Sequence, residues 1–398
     1  MSSRESLLIE LFTKWAFLFF IFSQVFFENT IINRLAMVML VGMVFLLCIT
    51  KSKFYFHTYF LLAFLLIIQS YFYSVNGGSI NPSTSLAMTS TLSINFIIAL
   101  SIYNYILIHD NLEESLFSFA KIGTVFVITI VLLSIISGGI LSGRLGQNVN
   151  LEILGDSVSY NANSIALIAG FSYLIYIYKY NNTKKLLNIF LVLVFILVIM
   201  LTGSRKGFLI LIFGTPLLVF LFSPKKWLRN VYIIIILLFV FYIISMKIPS
   251  LYNIIGIRIE ALIYQIMGSG VQDGSSETRS LFIERGWEYF LLKPWTGYGL
   301  DTFRNLPGSY GTYSHNNYIE ILVSGGIISF IIYYVIRFLI LIRLFLNLGV
   351  NNLVKLMFVF ILILLILDYG LVSYFERIYT VIFIFVLCSL SLIKINGK

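Results

Sequence analysis

Residues 277–326 gather Arg279, Arg285, Trp287, Lys293, Arg304 and His315 immediately ahead of a long apolar run. A guanidinium offers a planar fork of N–H donors that matches phosphate oxygens, whereas a lysine ammonium acts as a point charge. Histidine is the side chain whose ordinary pKa lets it take up a proton near neutrality. Cations and a histidine at the edge of an apolar segment suit an anionic, lipid-linked substrate. A second position of this kind is Arg205, in Thr202-Gly203-Ser204-Arg205-Lys206-Gly207. Small residues there let backbone N–H groups and the guanidinium approach an anion. Plainer readings stand beside these. Each arginine has carboxylates to pair with, such as Glu260, Glu277, Glu284, Glu288 or Glu376; His315 suits a helix cap; and 202–206 suits a hairpin turn anchored to headgroups.

The elements that must position these groups are apolar. The chain of 398 residues is 59% hydrophobic and 11% charged, with a mean hydropathy of +0.97. Soluble domains carry about a quarter charged residues, so the composition points to an all-α polytopic membrane protein, a single integral membrane domain over 1–398. Runs of about 20 apolar residues can cross a hydrocarbon core of about 30 Å. About twelve fit: 11–27, 31–50, 54–73, 86–108, 116–137, 161–179, 186–203, 207–223, 230–247, 316–342, 354–374 and 378–394. The first is interrupted by Lys14 and Trp15 and lacks a small-residue cleavage site, so it reads as retained. Cys48 and Cys388 both lie in apolar runs and give no disulfide or metal pattern.

Loop charge orients the spans. Lys51, Lys53, Lys179, Lys184, Lys185, Lys225, Lys226, Arg229, Arg343, Lys355, Lys394 and Lys398 fall in alternate connections, which the positive-inside rule assigns to the cytoplasm along with both termini. Topology thereby explains most of the formal +10 charge without nucleic acid. On the opposite side the basic residues are mainly arginine: Arg34, Arg144, Arg205, Arg258, Arg279, Arg285, Arg304 and Arg377. That bias runs against the topology rule, and phosphate recognition is a reason for it. His57 and His109 fall at cytoplasmic helix ends, where an interfacial role is expected.

The long outer loop, 248–315, lies between spans 9 and 10. Its residues 252–267 read as an amphipathic segment on the membrane surface, and 268–276 as a Gly/Ser-rich break. Ser275 or Ser276 then suits the cap of a helix running from Glu277 to about Leu292, ended by Pro294 and the turn Gly297-Tyr298-Gly299. Helical spacing puts Arg279, Phe282, Ile283, Gly286 and Phe290 on one face. Trp287, Trp295, Tyr298, Tyr310 and Tyr313 suit stacking on sugar faces. Asp368, in the eleventh span, is expected to pair with Arg377.

Three stretches together resemble the O-antigen ligase and Wzy-type polysaccharide polymerase superfamily: Thr202-Gly-Ser-Arg205; Arg279…Trp287…Lys293-Pro-Trp-Thr-Gly-Tyr-Gly-Leu-Asp-Thr-Phe303; and Ser314-His315-Asn316-Asn317-Tyr318…Glu320…Gly325-Gly326. The likeness is strongest over 200–330. Where ligases commonly carry a small residue, usually glycine, one turn beyond the His-Asn glycine, this chain has Ser329. The resemblance implies a GT-C-like membrane glycosyltransferase acting at the outer face of the cytoplasmic membrane. Its substrates would be a polyprenyl-diphosphate-linked oligosaccharide and a growing glycan or other acceptor, with membrane lipids and other polysaccharide-assembly proteins as partners. It maps the diphosphate contacts to Arg205 and Arg279 and the loop histidine to His315. Arg285, Arg304, Asn316, Trp287 and Tyr313 are the expected further substrate contacts. Asp273, Glu277 and Asp301 offer carboxylates to a metal, but the first outer loop has no closely spaced carboxylate pair of the kind that metal-dependent relatives use, so no metal or other cofactor is expected. A polymerase of surface polysaccharide is the leading reading. A ligase passing a finished glycan to a lipid, protein or wall acceptor is the alternative, and a lipid-linked sugar transporter the next.

Overall fold

The computed structural model describes residues 3–138, 144–146, 149–257, 260 and 274–395. The amphipathic reading of 252–267, the Gly/Ser break, Arg258 and Asp273 fall wholly or largely outside them.

The chain is an all-α polytopic membrane protein. Its main helices are α1 (Ser3–Phe26), α2 (Ile31–Lys51), α3 (Thr58–Val75), α4 (Pro82–His109), α5 (Leu112–Ile136), α6 (Ala162–Thr183), α7 (Leu186–Thr202), α8 (Arg205–Phe222), α9 (Trp227–Lys247), α10 (Gly274–Leu292), α11 (Asn317–Leu346), α12 (Asn352–Leu367) and α13 (Arg377–Cys388). Each apolar run read from the sequence overlaps one of them. By length and composition seven helices among the described residues can cross a membrane, namely α1 to α5, α8 and α11; three further apolar helices there, Leu186–Thr202, Asn352–Leu367 and Arg377–Ile393, are shorter. Side-chain oxygens mark several starts: Thr30, Asn81, Asn161, Asn316 and Asn351 each accept an N–H of the first turn. His57 does the same through Nδ1, so it is a helix cap. A short hairpin, β1 (Asn150–Ile153) and β2 (Asp156–Ser159), precedes α6, and its Asp156 carboxylate accepts the Ile31 N–H at the head of α2 (2.8 Å).

Span 10 departs from the straight helix expected over 316–342. At Gly326 (φ 66°, ψ −168°) α11 breaks, and the segment before it folds back along the segment after it. Asn317 Nδ2 donates to Tyr334 Oη at 2.8 Å, and the Tyr318 and Tyr334 rings stack 4.8 Å apart. Seventeen residues of unbroken helix would separate those positions by about 25 Å. A glycine is required at the break, because these angles lie in a region only glycine adopts readily. A Cβ there would also come within 2.3 Å of the Trp295 carbonyl group. Into the bend runs the strap 294–299: Tyr298 and Gly299 donate their N–H groups to Val323 and Ser324 carbonyls (2.9 and 2.8 Å), and Tyr73 of α3 donates to the Gly297 carbonyl (2.7 Å).

Asp368 does not pair with Arg377. The helix ends about two turns before the end of the expected run, at Leu367, and the buried carboxylate accepts hydroxyls of Ser373 (2.5 Å), Tyr379 (2.5 Å) and Tyr334 (2.9 Å). Arg377 Nε donates instead to Asn95 Oδ1 (3.2 Å). Three short hydroxyl donors satisfy the buried carboxylate, and the cation whose charge acts on it is the buried Arg337 rather than Arg377.

Candidate functional site

The His315 segment is fixed from both sides. Upstream, the Ser314 N–H donates to the Glu320 carboxylate (2.8 Å) and the Ser314 hydroxyl to the Asn316 carbonyl (2.8 Å). Downstream, Asn317 N–H donates to the Asp368 carbonyl (2.7 Å), while Asn317 Oδ1 accepts the N–H groups of Ser373 (2.9 Å) and Tyr374 (3.1 Å). Between these clamps His315 takes φ 58°, a left-handed conformation that few non-glycine residues occupy without surrounding restraint. Its ring lies 4.4 Å from that of Tyr313 and nearly parallel to Phe282 at 6.2 Å.

Arg279 arrives on α10. That helix begins at Gly274, so Ser275 and Ser276 lie inside it rather than at its cap. Its inner face follows the expected spacing: Phe282 is fully buried among Phe303, Leu306, Ile319 and Val323, and a Cβ on Gly286 would strike Ile319. Close packing on the fold-back segment of α11 thereby sets where Arg279 and Ile283 stand.

The turn 202–206 delivers Arg205 and Lys206. Gly203 ends α7 in the left-handed region (φ 54°), the Thr202 hydroxyl accepts the Ser204 N–H (3.2 Å), and the Ser204 hydroxyl donates to Asn163 (2.8 Å). Arg144 braces the turn through the Thr202 carbonyl (3.0 Å) and Asn163 (3.3 Å). A Cβ on Gly207 would meet Ile199 and Ala166, so glycine lets α6, α7 and α8 converge here.

These pieces meet in one cavity of about 750 Å³. Arg205, Lys206, Arg279, Ser280, Ser314 and His315 form its polar part. Its apolar part comes from α8, α11 and α12, through Phe208, Ile212, Phe213, Phe338, Leu341, Leu362 and Leu365. Ile212 and Phe213 sit within a π turn at Ile210–Gly214, just before Pro216, which has no N–H to give the helix ladder. Burial, with Arg279 and Lys206 close by, pushes His315 from 6.5 down to about 4. The imidazole is therefore neutral at physiological pH and has a lone pair for a proton or a hydrogen bond. Three cationic side chains beside a largely apolar chamber suit an anion with an apolar tail.

The other expected contacts fall elsewhere. Asn316 is buried and caps α11, its Oδ1 accepting from Tyr318 and Ile319 (3.0 and 3.1 Å). Arg304 is bound to Asp301 (2.6 Å). Arg285 packs over Gly308, and Trp287 stands half exposed against Phe290. None of these four lines the cavity. Tyr313 also lies outside the lining but touches the His315 ring. Lys206 is the lining cation that sequence reasoning left unassigned, although its place between Arg205 and Gly207 was a usable signal.

Residues 189–334 match the family model described as O-Antigen ligase. The matched stretch contains Arg205, Arg279 and His315, and is consistent with the superfamily whose motifs the chain resembles. No curated protein matches the chain. The match supports a surface-polysaccharide role of ligase or polymerase type in an integral membrane protein, with lipid-linked oligosaccharide and glycan acceptor as substrates.

Proposed function

We propose that this O-antigen-ligase-type chain polymerises surface polysaccharide, joining oligosaccharide repeat units carried on a polyprenyl diphosphate at the outer face of the cytoplasmic membrane. The observation that carries the reading is the convergence of Arg205, Lys206, Arg279 and His315 at the mouth of one apolar chamber. An acceptor hydroxyl attacks the anomeric carbon of the lipid-linked sugar. The bond from that carbon to the diphosphate oxygen breaks, polyprenyl diphosphate leaves, and the hydroxyl proton passes to His315. Arg205, Lys206 and Arg279 neutralise the charge that develops on the leaving diphosphate, and the apolar walls sharpen that effect by excluding water. The polyprenyl tail lies against α8, α11 and α12. A bound diphosphate offsets the repulsion that Arg279 and Lys206 exert on His315, so substrate makes the imidazole a stronger base at the moment it is needed.

A cell lacking the gene, complemented with His315→Ala or Arg279→Ala, tests this. The expected result is loss of long glycan with single lipid-linked repeats retained and both variants present in the membrane. Normal glycan ladders from both would overturn the site assignment. Accumulation of finished polymer that fails to reach its acceptor would reassign the chain as a ligase.

A further inference from the structure

Polar groups inside an apolar bundle need partners there, because lipid offers none. Arg337, on α11 and 5% exposed, keeps a donor without one. Its Nη1 donates to the Tyr333 carbonyl (2.6 Å), and its guanidinium lies 3.6 Å from the Tyr333 ring centroid and 4.5 Å from that of Phe383. Among the described residues no acceptor reaches its Nε, and the hydroxyl of Tyr333, 8% exposed, is unpartnered in the same way. The Ser373 hydroxyl beside Tyr333 is taken up by Asp368 (2.5 Å) and stands outside hydrogen-bonding geometry to the phenol.

Arg337 and Tyr333 both line a cavity of about 50 Å³ between α3, α4, α11 and the stretch from Ser373 into α13. Tyr59, Asn95, Ser373 and Tyr379 bring further hydroxyl and amide groups to its wall. At about 10–15 Å³ per water the space takes about three to five waters, and it is too small for a lipid tail or a sugar. Charge decides against an anion. Ser373 and Tyr379 donate their hydroxyls to the Asp368 carboxylate (2.5 Å each), so a negative charge stands one hydroxyl away from the cavity and offsets Arg337. A halide would add an uncompensated charge within the bundle, which is costly. Water is neutral, accepts from Nε and from the phenol, and donates to lone pairs left over on the Asn95 amide oxygen and the hydroxyls.

We propose that this cavity is an internal hydration site, in which a small water cluster bridges Arg337 and the Tyr333 hydroxyl to the Ser373 and Tyr379 hydroxyls of the Asp368 network. The bridge lets Arg337 and Asp368 compensate each other across the cavity. It lies directly behind the His315 loop, since the Ser373 N–H is one of the two that hold Asn317 (2.9 Å). The site is independent of which substrate the larger chamber takes.

X-ray radiolytic footprinting of the full chain in nanodiscs reads bound water directly, because hydroxyl radicals formed from a held water modify the side chain it touches. Tyr333 should be modified despite its burial. Tyr173, 3% exposed and bonded to Thr215 (2.9 Å), is the control that should not be. Ala63→Phe, which fills the cavity from α3, should abolish the Tyr333 signal. A parent protein in which Tyr333 is as silent as Tyr173 would overturn the site, as would a signal that survives Ala63→Phe. A Tyr333 signal that fades when chloride replaces gluconate in the buffer would put a halide in place of the waters and overturn it too. Thermal unfolding tests the bridge. Arg337→Met leaves Asp368 without its cation and should lower the Tm, and adding Asp368→Asn should recover part of that loss. Losses that simply add would uncouple Arg337 from Asp368 and overturn the bridge.

Discussion

His315 is held neutral by burial and by two neighbouring cations, and that sets a pH signature. Because its pKa is lowered to about 4, the free protein keeps a proton-accepting imidazole throughout the range above that value. The acid limb of kcat/KM, which reports the free enzyme, should therefore fall near pH 4 rather than near 6.5. The limb of kcat, which reports the substrate complex, should lie at higher pH, because bound diphosphate favours the protonated ring. Coincident limbs in a pH series of initial rates would remove the diphosphate from His315's surroundings. On the same scale, His315→Ala should lower kcat by about 10²–10⁴-fold, the usual worth of a general base. Arg279→Ala should cost about 10²–10³-fold, as for a lost transition-state donor, with Arg279→Lys in between because the charge survives and the fork does not.

At the scale of the element, the broken helix α11 does the positioning. Its fold-back segment carries Ser314, His315 and Asn317 to the level of Tyr334 and Asp368, beside the apolar walls of the chamber. Gly326→Ala should therefore destabilise the protein by at least the ~1–3 kcal/mol of a forbidden backbone conformation, with the Trp295 clash added. Gly349→Ala, where a Cβ meets nothing within 4 Å, is the matched control. Thermal unfolding in detergent should drop for the first and not for the second. Asn317→Ala leaves the Ser373 and Tyr374 N–H groups without their acceptor, at about 1–3 kcal/mol each, and should loosen the His315 loop. A variant as stable and as active as the parent would show that the clamp does not govern the site.

Across the whole molecule, a wall of arginine, lysine and histidine stands over an apolar chamber between three helices. In the proposed reaction fixed cations take the diphosphate charge, and the expected behaviour is activity that survives EDTA. Strict dependence on added Mg²⁺ or Mn²⁺ in a washed membrane assay would transfer the electrostatic role to a metal. The chamber's apolar walls also predict that diphosphates with longer polyprenyl tails bind more tightly, by about 0.8 kcal/mol per buried CH₂ at most. Affinity indifferent to tail length, measured across a series of chain lengths, would place the tail outside the chamber.

Much of this was legible from residue types alone. Apolar runs of spanning length give the helices because lipid leaves backbone groups no partner but their own helix. Helical spacing on α10 foretold which face Arg279 shares with Phe282 and Gly286, and the rarity of arginine and histidine at apolar helix ends singled out Arg205, Arg279 and His315. Tertiary structure decided which candidates meet. Asn316, beside His315 in sequence, turns inward as a helix cap, and Arg304 is taken by Asp301, whereas Lys206 enters the chamber. The fold-back at Gly326 was hidden for a physical reason. An apolar helix and an apolar helical hairpin have the same composition, and the glycine pair acquires its meaning only from the Trp295–Gly299 strap lodged in the bend. Asp368 was misassigned for a similar reason, because its hydroxyl partners come from residues that only the folded chain brings within reach.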